Sequence, residues 1–90
     1  MHGVMQGPRL ESAAEIRRMA GDGCDLVGMT GMPEASLARE LGLAYASICM
    51  VVNAAAGLDD KPLTLAVMRA NLLREAAAVR QLIAALVADY

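Results

Sequence analysis

Four residues of this 90-residue chain combine a reactive type with a telling position: Glu11, Met29, Thr30 and Asn53. Glu11 follows the Gly7-Pro8 break and stands directly before Ser12-Ala13-Ala14-Glu15, which has the S-x-x-E form of a helix capping box. A carboxylate there complements the positive end of a helix dipole, or it accepts N–H bonds from a ligand. Position alone favours the helix-dipole reading. Met29 and Thr30 close the run Asp25-Leu26-Val27-Gly28-Met29 just ahead of Pro33. Ligands of open α/β sheets bind beyond the carboxyl ends of strands, and Thr30 offers a hydroxyl and an amide to an anion at a helix start. The alternative is a core Met followed by an ordinary pre-helix Thr. Asn53 ends the run Ile48-Cys49-Met50-Val51-Val52. Its amide carries a donor and an acceptor, enough to read two adjacent atoms of a heterocycle, or simply to cap a turn.

Little else in the chain has catalytic character. His2 is the one histidine and reads as a solvated residue at the chain start. No Cys/His/carboxylate cluster has metal-ligand spacing, and the composition supplies no nucleophile–base pair. No metal and no cofactor is expected.

The elements that must position these residues follow from periodicity and punctuation. Residues 3–6 read as the end of a strand, with Gly7-Pro8 breaking it. A helix over about 13–20 carries Ile16 and Met19 on one face and ends at Gly21-Asp22-Gly23. Residues 25–29 form a short apolar run, read as a buried strand. Pro33 suits the first position of a second helix, which runs to about Leu41 and stops at Gly42, a C′ residue. Residues 43–52 form a third strand candidate whose end is apolar on both faces, as in a central strand. Residues 57–62 are a loop. A long helix over about 63–89 has Leu65, Met68, Leu72, Val79, Ile83 and Leu86 on one stripe. The order β-α-β-α-β-α predicts an α/β fold with right-handed crossovers in a largely parallel sheet.

Composition narrows the function classes. The chain is 57% hydrophobic, lacks Phe and Trp, and has a net charge of −2. That leaves no aromatic platform for stacking bases and no basic field for a phosphate backbone, so nucleic acid is not expected as a partner. The longest apolar stretches, such as residues 82–88, fall far short of the ~20 residues a bilayer requires, and no membrane partner is expected. No apolar h-region of a secretory signal precedes Arg17 and Arg18. Cys24 and Cys49 are too few for a disulfide framework. Cys49 reads as a small buried hydrophobe, and the compartment as reducing and cytoplasmic. A three-stranded sheet with uncovered edges is a poor unit alone, so residues 1–90 are expected to be the C-terminal piece of one larger α/β domain.

Three stretches carry a resemblance to a known family. They are Gly7-Pro8-Arg9-Leu10-Glu11-Ser12-Ala13-Ala14-Glu15-Ile16-Arg17, then Asp25-Leu26-Val27-Gly28-Met29-Thr30-Gly31-Met32-Pro33-Glu34-Ala35 with its continuation Leu37-Ala38-Arg39-Glu40-Leu41-Gly42-Leu43, and Met50-Val51-Val52-Asn53. In this order and spacing they resemble the C-terminal third of the purine nucleoside phosphorylase and methylthioadenosine phosphorylase family. The resemblance implies the C-terminal β-α-β-α-β-α portion of a phosphorylase-type mixed-sheet domain. It also implies a pentosyltransferase, in which phosphate attacks the anomeric carbon of a nucleoside and the purine leaves.

By that resemblance Glu11 binds N1–H of a 6-oxopurine with Leu10 beside it, Met29 lines the ribose, Thr30 contacts phosphate, and Asn53 bonds the purine near N7 and O6 as the catalytic group that supports its departure. Leu10 departs from the Phe often found before the carboxylate. Asn at position 53, where family members acting on 6-aminopurines have Asp, favours a 6-oxopurine. Residues 63–68 lack the His that faces a 5′-hydroxyl in members taking ordinary nucleosides, and an apolar wall there suits a 5′-methylthio group. The resemblance therefore implies phosphorolysis of S-methyl-5′-thioinosine, with inosine or guanosine and methylthioadenosine as alternative substrates. Phosphate is a co-substrate, and the full-length family enzyme is a homotrimer. The family's Gly-rich phosphate loop and its phosphate-binding Arg and His have no counterpart in these 90 residues, so a non-catalytic truncated fragment is the competing expectation.

Overall fold

The computed structural model describes residues 1–62 and 64–90. Five elements follow in order: β1 (His2–Val4), α1 (Ala13–Gly21), β2 (Leu26–Gly28), α2 (Glu34–Glu40) and α3 (Leu65–Asp89). The chain divides into two compact units, Met1–Cys49 with Ala55–Asp60, and Met50–Ala54 with Lys61–Tyr90.

The first unit is a β-α-β crossover followed by a short helix. β1 and β2 pair in parallel with His2 opposite Leu26, Gly3 opposite Val27 and Val4 opposite Gly28. The ladder runs on past β1, because the Met5 amide donates to the Gly28 carbonyl at 2.8 Å. The connection is α1, and local sequence sets both of its ends. The expected capping box is formed: the Glu15 amide donates to Ser12 Oγ at 3.2 Å and the Ser12 amide to Glu15 Oε1 at 3.0 Å. At the other end Gly23 adopts φ +91°. The Cys24 amide then reaches the Met19 carbonyl and the Gly23 amide reaches that of Ala20, the paired bonds of a Schellman motif. α2 ends the same way around Gly42 (φ +69°), with Leu43 bonded to Ala38 and Gly42 to Arg39. Its start lies one residue later than expected, with Pro33 in the capping position and no side-chain cap.

Burial in this unit is centred on the crossover helix α1 and the following helix α2, where Ile16 (5% exposed) and Ala38 (9%) are the buried apolar residues. Cys49, expected to be buried, is exposed. His2, expected to be solvated, is half-buried: its Nδ1 lies 4.0 Å from Cys49 Sγ, and its ring covers the face of Gly28, where any Cβ would meet Nε2.

The third strand is not formed. Residues 43–52 have no ladder partner among the described residues, and Leu43, Tyr45, Ile48 and Val51 are exposed. An apolar run signals that a segment is to be buried, but a strand exists only through hydrogen bonds to a neighbouring strand. The observed order is therefore β-α-β-α-α, an α/β arrangement with a two-stranded parallel sheet.

The second unit is built on α3. Thr64 caps it, accepting from the Val67 amide at 3.2 Å through Oγ1; the expected start at Leu63 lies outside the described residues. The predicted stripe is not a buried one. Met68 and Val79 are half-buried, whereas Leu65, Leu72, Ile83 and Leu86 are exposed. Among the described residues no helix is long and apolar enough to cross a membrane.

Candidate functional site

Two turns at the carboxyl ends of β1 and β2 lie side by side. The first, residues 7–12, leads from the extended β1 strand into α1. Gly7 has φ +70°, and a Cβ at that position would meet Met29 Sδ at 2.7 Å. The glycine thus serves twice, as a residue for a left-handed backbone and as the gap that receives the Met29 side chain. Met29 belongs to the second turn, residues 29–33, and is half-buried. The parallel ladder fixes the spacing of the two strand ends, and Met29 on Gly7 closes the distance between the turns. The structure thereby brings Met29 to the turn that carries Glu11.

Glu11 precedes the Ser12 cap and is half-buried. Its Oε1 is buried with no hydrogen-bond partner among the described residues. Buried polar atoms are bonded in the great majority of cases, and a carboxylate oxygen left bare carries a desolvation cost. Complementing a helix dipole needs no buried oxygen, so this observation favours the ligand-accepting reading. Leu10 beside it is 48% exposed, open to a binding partner.

A network missed by periodicity flanks Glu11 along the chain. Arg9 Nη1 donates to Glu15 Oε1 at 2.8 Å and Nη2 to Oε2 at 3.3 Å. Arg9 Nη1 also reaches the Leu10 carbonyl at 3.1 Å. The guanidinium bond, with the Ser12 amide and hydroxyl, holds the Glu15 carboxyl down at about 2. Glu15 in turn pushes Arg9 above its usual value, with a smaller contribution from Glu11. A basic residue three before a Ser-x-x-Glu box was the available sequence signal. The loop Ala55–Asp60 adds a second unpredicted feature: Gly57, at φ +81°, lies against Ala13, the first residue of α1.

Thr30 is exposed and stands in the turn four residues ahead of α2. The sequence reading placed it at a helix start. Instead Pro33 takes the capping position and Glu34 puts a carboxylate in the first turn, which disfavours an anion at that helix end. Thr30 keeps its own hydroxyl and amide as donors.

Asn53 lies in the second unit and is half-buried. Its Nδ2 donates to the Ala54 carbonyl at 2.8 Å, a local turn bond. The segment before it is tied to α3: Asn71 Nδ2 donates to the Val52 carbonyl, and Arg74 Nη2 donates to Asn71 Oδ1 at 2.8 Å. Asn71 was not singled out from sequence, because it sits among the apolar positions of α3 without repeating their period. Within the stretch 63–68, expected as an apolar wall, Leu65 and Val67 are exposed and Met68 is half-buried. No group of three or more His, Cys, Asp and Glu among the described residues is placed to hold a metal ion.

Comparison with known proteins places this sequence in a family. The family described as "Phosphorylase superfamily" matches residues 1–88. A probable S-methyl-5′-thioinosine phosphorylase of Xanthomonas campestris is 60% identical over 72 residues, covering 79% of this chain and 29% of that protein. A protein of the same description from Xylella fastidiosa is 68% identical over 59 residues, covering 66% of this chain and 25% of its own length. A probable 6-oxopurine nucleoside phosphorylase of Thermococcus kodakarensis is 52% identical over 63 residues, covering 70% and 24%. The chain spans about a quarter of the length of these relatives. With a parallel β-α-β unit, two adjoining strand-end turns and a family match over nearly its whole length, the chain belongs to the phosphorylase superfamily.

Proposed function

We propose that this chain contributes the base- and sugar-binding portion of a nucleoside phosphorylase that takes a 6-oxopurine nucleoside, with S-methyl-5′-thioinosine as the favoured substrate. One observation carries the reading: the buried, unbonded Oε1 of Glu11 in a turn packed against Met29. The names borne by the relatives, methylthioinosine and 6-oxopurine nucleoside phosphorylases, support it.

In this account Glu11 accepts the N1–H of the purine in a charge-assisted bond, with Leu10 alongside. Met29 lines the pentose, and Thr30 donates to phosphate. Phosphate attacks the anomeric carbon as the C–N glycosidic bond breaks, giving pentose 1-phosphate and the free base. The departing base is electron-rich, and Asn53 supports its departure with the donor of its amide near N7 and O6. Asn and Asp differ in donor capacity, so Asn53 suits a 6-oxo rather than a 6-amino group. No cofactor or metal enters the reaction; the complete enzyme is a homotrimer working in the cytoplasm.

The test is a chimera in which this chain's segment replaces the matching stretch of the Xanthomonas campestris relative. Phosphate-dependent release of hypoxanthine from methylthioinosine, faster than turnover of inosine or methylthioadenosine, is the expected result. A preference for methylthioadenosine would overturn the assignment of the base.

A further inference from the structure

The turn that carries Glu11 is pinned on both sides of that residue. The peptide unit entering Glu11 is held through the Leu10 carbonyl, which accepts from Arg9 Nη1 at 3.1 Å. The peptide unit leaving it is held through the Ser12 amide, which donates to Glu15 Oε1 at 3.0 Å. These two anchors are themselves joined, because Arg9 forks onto both oxygens of Glu15 at 2.8 and 3.3 Å. A closed loop of hydrogen bonds therefore encloses one residue, Glu11. With both flanking peptide planes fixed, φ and ψ of Glu11 are fixed, and so is the direction of its Cα–Cβ bond.

The geometry points to Arg9 as the positioning residue for Glu11: its guanidinium, forked onto Glu15 and bonded to the Leu10 carbonyl, sets the direction in which the Glu11 carboxylate meets a 6-oxopurine. This deepens, and rests on, the base-reading role of Glu11 proposed above. The stability of α1 is served by the Ser12–Glu15 capping bonds, and it is a poor explanation of the Arg9 fork. The Arg9 side chain is 71% exposed, and exposed ion pairs contribute little to folding. Orientation is different, since a binding group gains from being held before the ligand arrives. The residue type fits as well. Only a planar fork satisfies two carboxylate oxygens and a carbonyl together, and a lysine ammonium does not reproduce it.

Variants of the 90-residue chain test the assignment: Arg9→Met, Arg9→Lys, Glu15→Gln, which keeps an acceptor for the Ser12 amide, the Arg9→Met and Glu15→Gln double variant, and Glu11→Gln. Backbone ¹⁵N relaxation reads the order of Glu11 without ligand, and NMR titration reads affinity for hypoxanthine and for adenine. Arg9→Met is expected to loosen Glu11 from the rigid range, an order parameter of about 0.85, towards the flexible range below about 0.6. It should weaken hypoxanthine roughly tenfold while leaving adenine unchanged. Arg9→Lys should not restore either quantity, and Arg9→Met with Glu15→Gln should lose little more than one alone. An unchanged Glu11 order parameter, rescue by lysine, or equal losses for both bases would overturn the positioning role. Equal binding of the two bases by the unaltered chain, also unaffected by Glu11→Gln, would overturn the base-reading role and this inference with it. Failure of the clamp alone is distinct: the unaltered chain then prefers hypoxanthine and Arg9→Met keeps that preference.

Discussion

At the scale of single residues, Gly7 and Asn53 make the clearest commitments. Gly7 combines a positive φ with a gap that Met29 Sδ occupies. Gly7→Ala meets backbone strain and a steric clash together, and is expected to destabilise the first unit by ~1–3 kcal/mol. A lowered denaturation midpoint with an unchanged m-value would show it; an unchanged midpoint would mean that the two turns do not depend on this contact. Asn53→Asp removes the Nδ2 donor now bonded to the Ala54 carbonyl, a stability loss of ~0.5–1.5 kcal/mol. In the chimera the same substitution should lower kcat/KM for methylthioinosine by about one to two decades, from an unmade bond worth ~1–3 kcal/mol, and should raise relative activity on methylthioadenosine. Unchanged kinetics on both substrates, with the stability loss present, would reduce Asn53 to a turn residue. Glu11 and Met29 stand out in the sequence because each lies where a break or an apolar run meets a turn, and the structure sets Met29 against the turn that carries Glu11; Asn53 stands out as the end of a strand that is not formed. Arg9 does not stand out, because its partner Glu15 is six residues on, a spacing that belongs to neither helix nor strand periodicity.

At the scale of elements, helix ends were readable and strand pairing was not. Ser12, Glu15, Gly23 and Gly42 act through bonds within a few residues, so their types alone forecast the capping box and the C-terminal motifs seen around them. Residues 43–52 depend on a partner strand remote in sequence, and local hydrophobicity says nothing about whether one is at hand. The α3 stripe fails for a related reason: period 3.6 marks a face able to be buried, while Leu65, Leu72, Ile83 and Leu86 remain exposed. The α1 cap has a measurable pH signature. Arg9 and Ser12 hold Glu15 at about 2 against an ordinary value of 4.5. A carboxyl whose folded value is depressed stabilises the fold when ionised. Its contribution is thus complete above pH 4.5 and is lost as pH falls towards 2. Helix content followed by circular dichroism should decline across that window, and in Glu15→Gln this component of the decline should be absent. Identical acid profiles for the two chains would contradict the clamp seen at α1.

At the scale of the whole molecule, buried apolar residues are few: Ile16 and Ala38 among those described. The family match covers residues 1–88, while the chain spans about a quarter of its relatives' length. Phosphate is a strongly charged nucleophile whose attack needs several aimed donors or cations, and in this chain only Thr30 is assigned to it. The 90-residue chain alone is therefore expected to show no phosphorolysis of methylthioinosine, and robust turnover by the purified chain would contradict that division of labour. The most direct test of the central claim, that Glu11 reads the base, is Glu11→Gln in the chimera, with kcat/KM measured on methylthioinosine and methylthioadenosine beside the melting temperature. Loss of a dipole-complementing charge would cost ~0.3–1 kcal/mol of stability and spare catalysis. Loss of a charge-assisted bond to N1–H should instead remove roughly tenfold or more of the activity on methylthioinosine, with little change on methylthioadenosine, which lacks that proton, and little change in Tm. Equal losses on the two substrates, or a fall in Tm alone, would contradict the account.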